Sequence, residues 1–262
     1  MKTILDKDYN SHPGLSQSGA KEIIRSPLHF KAYLERDRDE QTPAQRIGSL
    51  VHLATLEPVK YDALICVAPE CDRRTKDGKE IWASFQSSLR PGQEAITAKE
   101  SELVTSVSIA AREALDKLCA DLDAVIDSTE VPLEGTVNGT LIKGRLDAIL
   151  LNEETGKRYV VDIKTTMDAG AESFSKDIAN FKYYLQGAWY TTLAEAEGFY
   201  LIAVEKDAPN DWAIYTLDEA AHTKGLALMF SAIETFRQCN TFKQFPGYPK
   251  DIQTLALPKW VQ

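Results

Sequence analysis

The feature that most constrains the fold of this chain is a predicted β-hairpin in its second half. Residues Gly139–Leu151 and Arg158–Thr166 have the composition of strands, and the segment between them has the composition of a hairpin turn. The second strand would be continuously apolar, as in a strand buried on both faces, if it did not contain Asp162 and Lys164. Because charged side chains are rarely buried without a partner, these two residues indicate a functional site.

The hairpin predicts which charged residues face one another. Its turn pairs Asn152 with Lys157. In that antiparallel register Asp147 lies opposite Asp162, with Cβ atoms roughly 5 Å apart. Lys164 projects from the same face as Asp162, because side chains in a strand alternate with a period of two. Two carboxylates and one ammonium group are therefore expected on one patch.

Such a patch is costly unless a cation compensates it. Two facing carboxylates repel each other, and in a half-buried site one of them would take up a proton unless a divalent metal supplied positive charge. Hard oxygen ligands of this kind suit Mg²⁺ or Mn²⁺. Lys164 would then orient or deprotonate a water molecule, or stabilise charge on a phosphoryl oxygen. The alternative is a surface hairpin with ordinary ion pairs, against which the apolar context of the strand argues.

The rest of the pattern predicts a mixed α/β protein in which a central sheet of about five strands is flanked by helices, with a helical N-terminal part. The predicted strands are Ser128–Glu134, Gly139–Leu151, Arg158–Thr166, Phe199–Glu205 and Trp212–Leu217. The predicted helices are a segment capped at Ser16 and ending at Ile24, a segment from Ser26 through Leu34, Pro43–Leu56, Glu80–Leu89, Lys99–Leu118, Phe181–Ala196 and Asp218–Cys239. We expect one domain over residues 1–262, with a helical front at 1–127 and a sheet core at 128–262.

The charge of the chain limits how it can meet a polyanion. The formal net charge is −9, and an acidic surface repels phosphate at long range. A role with nucleic acid therefore has to depend on local features. The predicted polar loop at residues 69–80 is such a feature, because it holds the basic residues Arg73, Arg74, Lys76 and Lys79. This local excess of positive charge suits contact with a phosphate backbone or a 5′ phosphate, although a solvated loop can have the same composition.

Several classes of protein lack support in the sequence. There is no G-x-S-x-G, H-E-x-x-H, P-loop or G-x-G-x-x-G pattern to indicate a serine hydrolase, a zincin, an NTPase or a dinucleotide-binding protein. No apolar run approaches the length of about 20 residues that a membrane span needs, and the N-terminus has no apolar signal core. The cysteines are scattered. We therefore expect a cytoplasmic protein with reduced thiols and no membrane partner.

The hairpin residues form a known pattern. Asp147 followed by Asp162-Ile163-Lys164 resembles the core of the PD-(D/E)xK nucleases, in the form found in their RecB-like branch. Leu146 stands where the pattern usually has proline. Further residues of that branch are Gly48 and His52 on an early helix, Glu134 before the hairpin, and Gln186 and Tyr190 on the helix after it. A spacing of four places Gln186 and Tyr190 on one helix face.

Within this branch the chain resembles the nuclease domain of the exonuclease VIII (RecE-type) family from about Ser16 to Pro249. Further matching stretches are Ser26-Pro27, Leu56–Pro58, Arg73–Lys79 and Pro246–Tyr248. The resemblance implies that Mg²⁺, with Mn²⁺ as a substitute, is bound by His52, Asp147, Asp162 and the main-chain carbonyl of Ile163. It implies that Lys164 positions the attacking water and that Glu134 contacts a second metal. Gln186 and Tyr190 would support the site or contact the DNA backbone.

Each assignment beyond the hairpin also has a plainer alternative. His52 on an amphipathic helix could be an ordinary packed or surface residue. Gln186 could face the core, and Glu134 could be an exposed strand residue.

The resemblance also implies a function and partners. The function is that of a Mg²⁺-dependent exodeoxyribonuclease that degrades one strand of linear duplex DNA from the 5′ end, leaving 3′ overhangs for recombination with a single-strand annealing protein, in bacteria or phages. By analogy the protein would form a ring-shaped homo-oligomer around DNA. Two alternatives stay open: a catalytically silent DNA-binding or assembly protein on the same fold, and a structure-specific or restriction-type endonuclease. The presence of Asp147, Asp162 and Lys164 favours an enzyme.

Overall fold

A mixed β-sheet forms the centre of the structure, which is a computed structural model that describes residues 1–5, 8–36 and 41–257. In chain order the strands are β1 (Lys2–Thr3), β2 (Leu15–Ser16), β3 (Ile65–Val67), β4 (Glu94–Ile96), β5 (Val125–Val137), β6 (Thr140–Leu151), β7 (Arg158–Thr166), β8 (Gly198–Glu205) and β9 (Trp212–Thr216). The central sheet has the order β1-β5-β6-β7-β8-β9, and β2 pairs with β6. Strands β3 and β4 form a separate two-stranded sheet.

The sheet confirms the predicted fold class and extends the predicted sheet. Its five long strands, β5 to β9, are those expected from the sequence. Only β7 and β8 among them run parallel, and the other neighbouring pairs are antiparallel. Strands β1 and β2 were not predicted, and they come from the part expected to be helical. Each has two residues, which is too short to show the alternation by which a strand is predicted.

The helices also follow the sequence closely. They are α1 (Gln17–Arg25), α2 (Pro27–Glu35), α3 (Pro43–Leu56), α4 (Pro58–Leu64), α5 (Lys76–Ser88), α6 (Ala98–Asp121), α7 (Ala171–Asn180), α8 (Tyr183–Ala194) and α9 (Glu219–Phe242). Helix α3 has the predicted bounds and begins with a capping box between Thr42 and Gln45. Helices α4 and α7 were not predicted. Pro58 ends α3 as expected, but it also stands at the first turn of α4, where proline is tolerated.

The prediction of a loop over residues 69–80 is wrong in its second half. Helix α5 already begins at Lys76, where the Thr75 hydroxyl accepts a hydrogen bond from the Gly78 backbone N–H at 3.0 Å. The polar residues there are the exposed first turn of a helix, which has the same composition as a loop.

Two hydrophobic clusters cover the faces of the sheet. One packs the sheet against α1, α8 and α9, with Trp189 and Phe174 among its largest buried side chains. The other packs the sheet against α3 and α6, with Val51 and Leu115 fully or almost fully buried. Helices α3 and α8 thus pack against the central strands in two separate hydrophobic clusters. Across the part of the chain that the structure describes, no helix combines the length and the apolar character that a bilayer crossing demands.

Candidate active site

The two aspartates of the hairpin lie where the pairing of β6 with β7 ends. The last antiparallel pair is Ala148 with Val161, in the register that the turn predicts, and Asp147 and Asp162 are the next residues. The backbone N–H of Ile163 donates a hydrogen bond to Oδ2 of Asp147 at 2.8 Å. The side chain of Asp147 thus accepts a hydrogen bond that a backbone carbonyl of β6 would accept if the strands stayed paired. The two carboxylates lie in the gap between β6 and β7 just beyond their last paired residues.

His52 on α3 contacts both sides of this gap. Its Nε2 donates a hydrogen bond to the main-chain carbonyl of Ile163 at 2.8 Å, and its Nδ1 lies 3.3 Å from Oδ2 of Asp147. Burial opposes the charged form of His52, but the carboxylate of Asp147 outweighs it and raises the pKa of His52 to about 9. His52 is therefore a cation in the metal-free protein. Its imidazolium bridges two oxygen atoms that the sequence predicts as metal ligands.

Glu130 on β5 completes this group, although it was not among the predicted site residues. In the pairing of β5 with β6, Glu130 lies between Thr129, opposite Ala148, and Val131, opposite Leu146, so it faces Asp147. Its backbone is left-handed, with a φ of 49°. Burial, followed by the charge of Asp147, raises the pKa of Glu130 to about 7.

His52, Glu130 and Asp147 each offer one ligand atom, and these atoms lie within 4.8 Å of one another. We call these three residues the candidate metal group. Their mixture of carboxylate and imidazole ligands is suited to a divalent cation.

Glu134 lies elsewhere, although the sequence predicted it as a second-metal residue. It lies four residues farther along β5 than Glu130, roughly 13 Å away at the usual rise of a strand. There β5 pairs with β1, and Glu134 forms an ion pair with Lys2. It also accepts a hydrogen bond from Nε2 of His12 at 2.5 Å. Hydrogen bonding to Lys2, and then to His12, lowers the pKa of Glu134. The structure therefore gives Glu134 a place in tethering the N-terminal strand and does not bring it to the candidate metal group.

Asp162 is the most deeply buried carboxylate of the site, with 1% of its surface exposed. Its Oδ1 accepts a hydrogen bond from Nε2 of Gln186 at 2.5 Å. Its Oδ2 lies 2.5 Å from Nζ of Lys164, but this ion pair lacks the geometry of a hydrogen bond. Burial raises the pKa of Asp162 to about 6, against the opposing charge of Lys164. Both oxygens of this buried carboxylate thus face positively charged or donating groups, which keeps them in place to bind a cation.

Lys164 and Asp162 project from the same face of β7, as the sequence predicts. Burial opposes the charged form of Lys164, but Asp162 and Asp147 outweigh it and raise the pKa of Lys164. Its Nζ also lies 4.9 Å from the centre of the Tyr183 ring. The side chain therefore remains an ammonium group beside the carboxylates.

Gln186 and Tyr190 lie on one face of α8, and both are buried. Gln186 does not simply fill the core, because it binds Asp162. Burial, followed by the charges of Asp162 and Asp147, raises the pKa of Tyr190 well above its usual value. Trp189 fixes the helix, since its Nε1 donates a hydrogen bond to the main-chain oxygen of Lys143 on β6 at 3.0 Å. Both predicted residues are therefore brought to the site.

The site opens into a cleft with a volume of about 1060 Å³. Its walls include the candidate metal group, Ile163, Lys164 and Tyr183. The donor set of this chain fits a divalent metal, because three potential ligand atoms, two of them from carboxylates, converge within 4.8 Å of one another.

The four basic residues at 73–79 lie apart from this cleft. Arg73, Arg74, Lys76 and Lys79 are exposed, and none of them lines the cleft as the described residues define it. The guanidinium of Arg73 stacks 3.4 Å from the centre of the Trp82 ring, and Lys76 lies 3.9 Å from Glu80. They form a basic surface at the start of α5.

The fold and the site together define a nuclease of the PD-(D/E)xK type, an enzyme class that uses divalent metals. Residues 16–258 match the family described as "PDDEXK-like domain of unknown function (DUF3799)", and the chain belongs to that family. This identification agrees with the RecE-type resemblance of the sequence.

Solved structures are similar to this chain at low sequence identity. A protein from Eubacterium rectale, provisionally described as an exonuclease, is 15% identical and has a TM-score of 0.62, with 98% of this chain and 96% of that one covered. A phage-related exonuclease from Haemophilus somnus is 13% identical with a TM-score of 0.39, covering 90% and 99% of the two chains. An alkaline exonuclease from Laribacter hongkongensis is 11% identical with a TM-score of 0.33, covering 68% and 91%. No match to a curated protein was found.

Proposed function

We propose that this protein is a Mg²⁺-dependent exodeoxyribonuclease that degrades one strand of linear duplex DNA from the 5′ end and leaves a 3′ overhang. The observation that carries the proposal is the convergence of the candidate metal group with the buried Asp162–Lys164 pair in one cleft. The description of the E. rectale protein supports an exonuclease rather than an endonuclease.

The residues of the site would have different roles in phosphodiester hydrolysis, and most of them would bind the metal. Asp147, Asp162, His52 and the carbonyl of Ile163 would hold Mg²⁺, and Glu130, rather than Glu134, would add a carboxylate to them. When bound, the ion supplies the positive charge that polarises a phosphodiester and lowers the pKa of water. To act as a ligand, His52 has to give up the proton that it carries in the metal-free protein. Metal binding is therefore expected to release protons.

Lys164 would orient the attacking water and stabilise negative charge on the phosphoryl oxygens. Deprotonating the water is the less suitable of its predicted roles, because the carboxylates beside it keep it protonated against the effect of burial. An ammonium group donates up to three hydrogen bonds and accepts none. Gln186 would hold Asp162 in place, and Tyr190 would support Gln186 or contact the DNA backbone.

The basic surface and the acidic net charge suggest an assembly. We propose that Arg73, Arg74, Lys76 and Lys79 contact DNA phosphates, and that copies of the chain form a ring with these residues facing its channel. Such a ring would keep most of the −9 charge on its outer surface. The 3′ strand that remains would pass to a single-strand annealing protein. Light scattering of the active preparation should show a closed oligomer, and a monomer alone would contradict this arrangement.

Digestion of end-labelled DNA tests the proposed activity. A linear duplex labelled in separate samples at the 5′ or the 3′ end is incubated with Mg²⁺ or with EDTA, beside a covalently closed circle of the same sequence. We expect early release of the 5′ label, gradual shortening of the 3′-labelled strand, an intact circle and no reaction in EDTA.

The other outcomes identify the alternatives. A nicked or linearised circle would indicate an endonuclease. A gel shift without cleavage under any metal would indicate a binding protein. Early release of the 3′ label would reverse the proposed polarity.

A further inference from the structure

Lys21 on α1 lies next to the site, and none of the roles described so far includes it. Its Nζ lies 5.6 Å from the centre of the Tyr183 ring. Nζ of Lys164 lies 4.9 Å from the centre of the same ring, which lines the cleft. Two ammonium groups from different elements of the fold therefore meet at one aromatic side chain beside the carboxylates.

The packing of α1 holds Lys21 in this position. Ser16 caps the helix, and Gly19, Ala20 and Ile23 bury one face of it against the core. Lys21 lies between these buried positions and is itself half-buried. A lysine with no partner would normally extend its ammonium group into solvent. The packing of α1 instead holds the ammonium group of Lys21 where its hydration is limited.

Lys21 is short of negative charge. Across residues 1–5, 8–36 and 41–257, no carboxylate lies within ion-pair distance of its Nζ. Burial, followed by repulsion from Lys164, lowers the pKa of Lys21 to about 8, although Asp162 attracts it from farther away. Lys182 adds to the repulsion. Lys21 does not itself line the cleft, but the Tyr183 ring that both ammonium groups approach does. A negatively charged group bound in the cleft beside that ring would reduce the repulsion between the two cations.

We propose that Lys21 binds a non-bridging oxygen of a phosphodiester in the strand being cleaved, next to the phosphate that Lys164 faces. This inference rests on the proposed function and adds a residue that contacts the substrate outside the metal ligands. DNA brings one negative charge for each phosphate, which is the charge that Lys21 lacks. The contact would fix the strand in the cleft and so position the scissile bond.

Single neutral phosphates test the contact. Duplexes that carry one methylphosphonate, at each position around the first scissile bond in turn, are cleaved by the wild type, Lys21→Met and Lys21→Arg. We expect Lys21→Met to lower kcat/KM about 10- to 100-fold, as for loss of a charged hydrogen bond. One methylphosphonate position should lower wild-type kcat/KM to a similar degree and have no further effect in Lys21→Met. Lys21→Arg should recover most of the activity, because arginine also donates to phosphate.

Lys224→Met is the matched control. Its Nζ lies 5.6 Å from the Tyr184 ring, the same kind of contact as that of Lys21, but Lys224 is exposed and Tyr184, unlike Tyr183, does not line the cleft. Its cleavage profile should match that of the wild type.

Three outcomes would overturn the inference. Lys21→Met could cleave like the wild type, or every methylphosphonate could reduce its activity as much as that of the wild type. Lys21→Arg could be folded, as judged by an unchanged Tm, and yet inactive, which would point to a neutral lysine acting as a base. A wild-type protein that cleaves no duplex would instead refute the proposed function itself, and this inference with it.

Discussion

Lys164→Ala should abolish DNA cleavage while the protein still binds DNA and metal. The ammonium group of Lys164 pairs with the buried Asp162, and its Nζ lies 2.5 Å from Oδ2 of that residue. Loss of a preorganised group that stabilises developing charge lowers turnover by about 10³-fold in comparable sites. Single-turnover cleavage of a 5′-labelled duplex measures the loss, and a gel shift in Ca²⁺ measures binding.

Asp162→Asn distinguishes the role of the metal from the role of Lys164. It should also remove cleavage, but in addition it should weaken Mn²⁺ binding in a calorimetric titration, which Lys164→Ala should not do. Lys176→Ala is a suitable control, because Lys176 lies on α7 in an exposed pair with Glu172 at 3.1 Å. Turnover by Lys164→Ala within 10-fold of the wild-type rate at saturating Mg²⁺ would contradict the role given to this residue.

The hairpin is the part of the site that could be predicted in detail. Its turn carries the information: Oδ1 of Asn152 accepts a hydrogen bond from the Thr155 N–H at 2.8 Å, and Gly156 adopts a φ of 70°. Turn residues of this kind set the register of the strands, and the register places Asp147 beside Asp162.

Glu130 could have been found in the same way, from the turn that joins β5 to β6. Asn138 and Gly139 both adopt a left-handed backbone there, as in a two-residue hairpin turn. The register that this turn sets continues without a shift past Glu130, so it places Glu130 against Asp147 and Glu134 against Lys143. The irregularity of β5, between Ile126 and Ser128, lies beyond both residues. The position of Lys21 could not be predicted, because its approach to Tyr183 depends on how α1 packs against α8.

Glu130→Gln should weaken metal binding and cleavage, whereas Glu134→Gln should leave both unchanged. The two substitutions are the same and lie on the same strand, so they form a matched pair. Glu130 offers a ligand atom to the candidate metal group, and its loss should reduce Mn²⁺ affinity roughly 10- to 100-fold. Glu134 is held by Lys2 and His12, so its substitution should lower only the Tm, by loosening β1.

The pH dependence of metal binding gives a second readout for Glu130. Burial and then Asp147 raise the pKa of Glu130 to about 7, and a ligand has to be deprotonated before it can bind a metal. Wild-type affinity for Mn²⁺ should therefore rise with pH through this range, and the rise should be smaller in Glu130→Gln. Equal affinities for the two variants, or a larger loss in Glu134→Gln, would contradict the assignment.

Anomalous diffraction from crystals soaked in Mn²⁺ locates the metal without relying on activity, and so shows whether the two aspartates of the hairpin bind it. A nuclease centre at the end of the β6–β7 ladder predicts a strong anomalous peak bonded to carboxylate oxygens of Asp147 and Asp162 and to the carbonyl of Ile163. Saturating Mn²⁺ that gives no peak at this position, or a peak only beside Glu134 or on the outer surface, would contradict it.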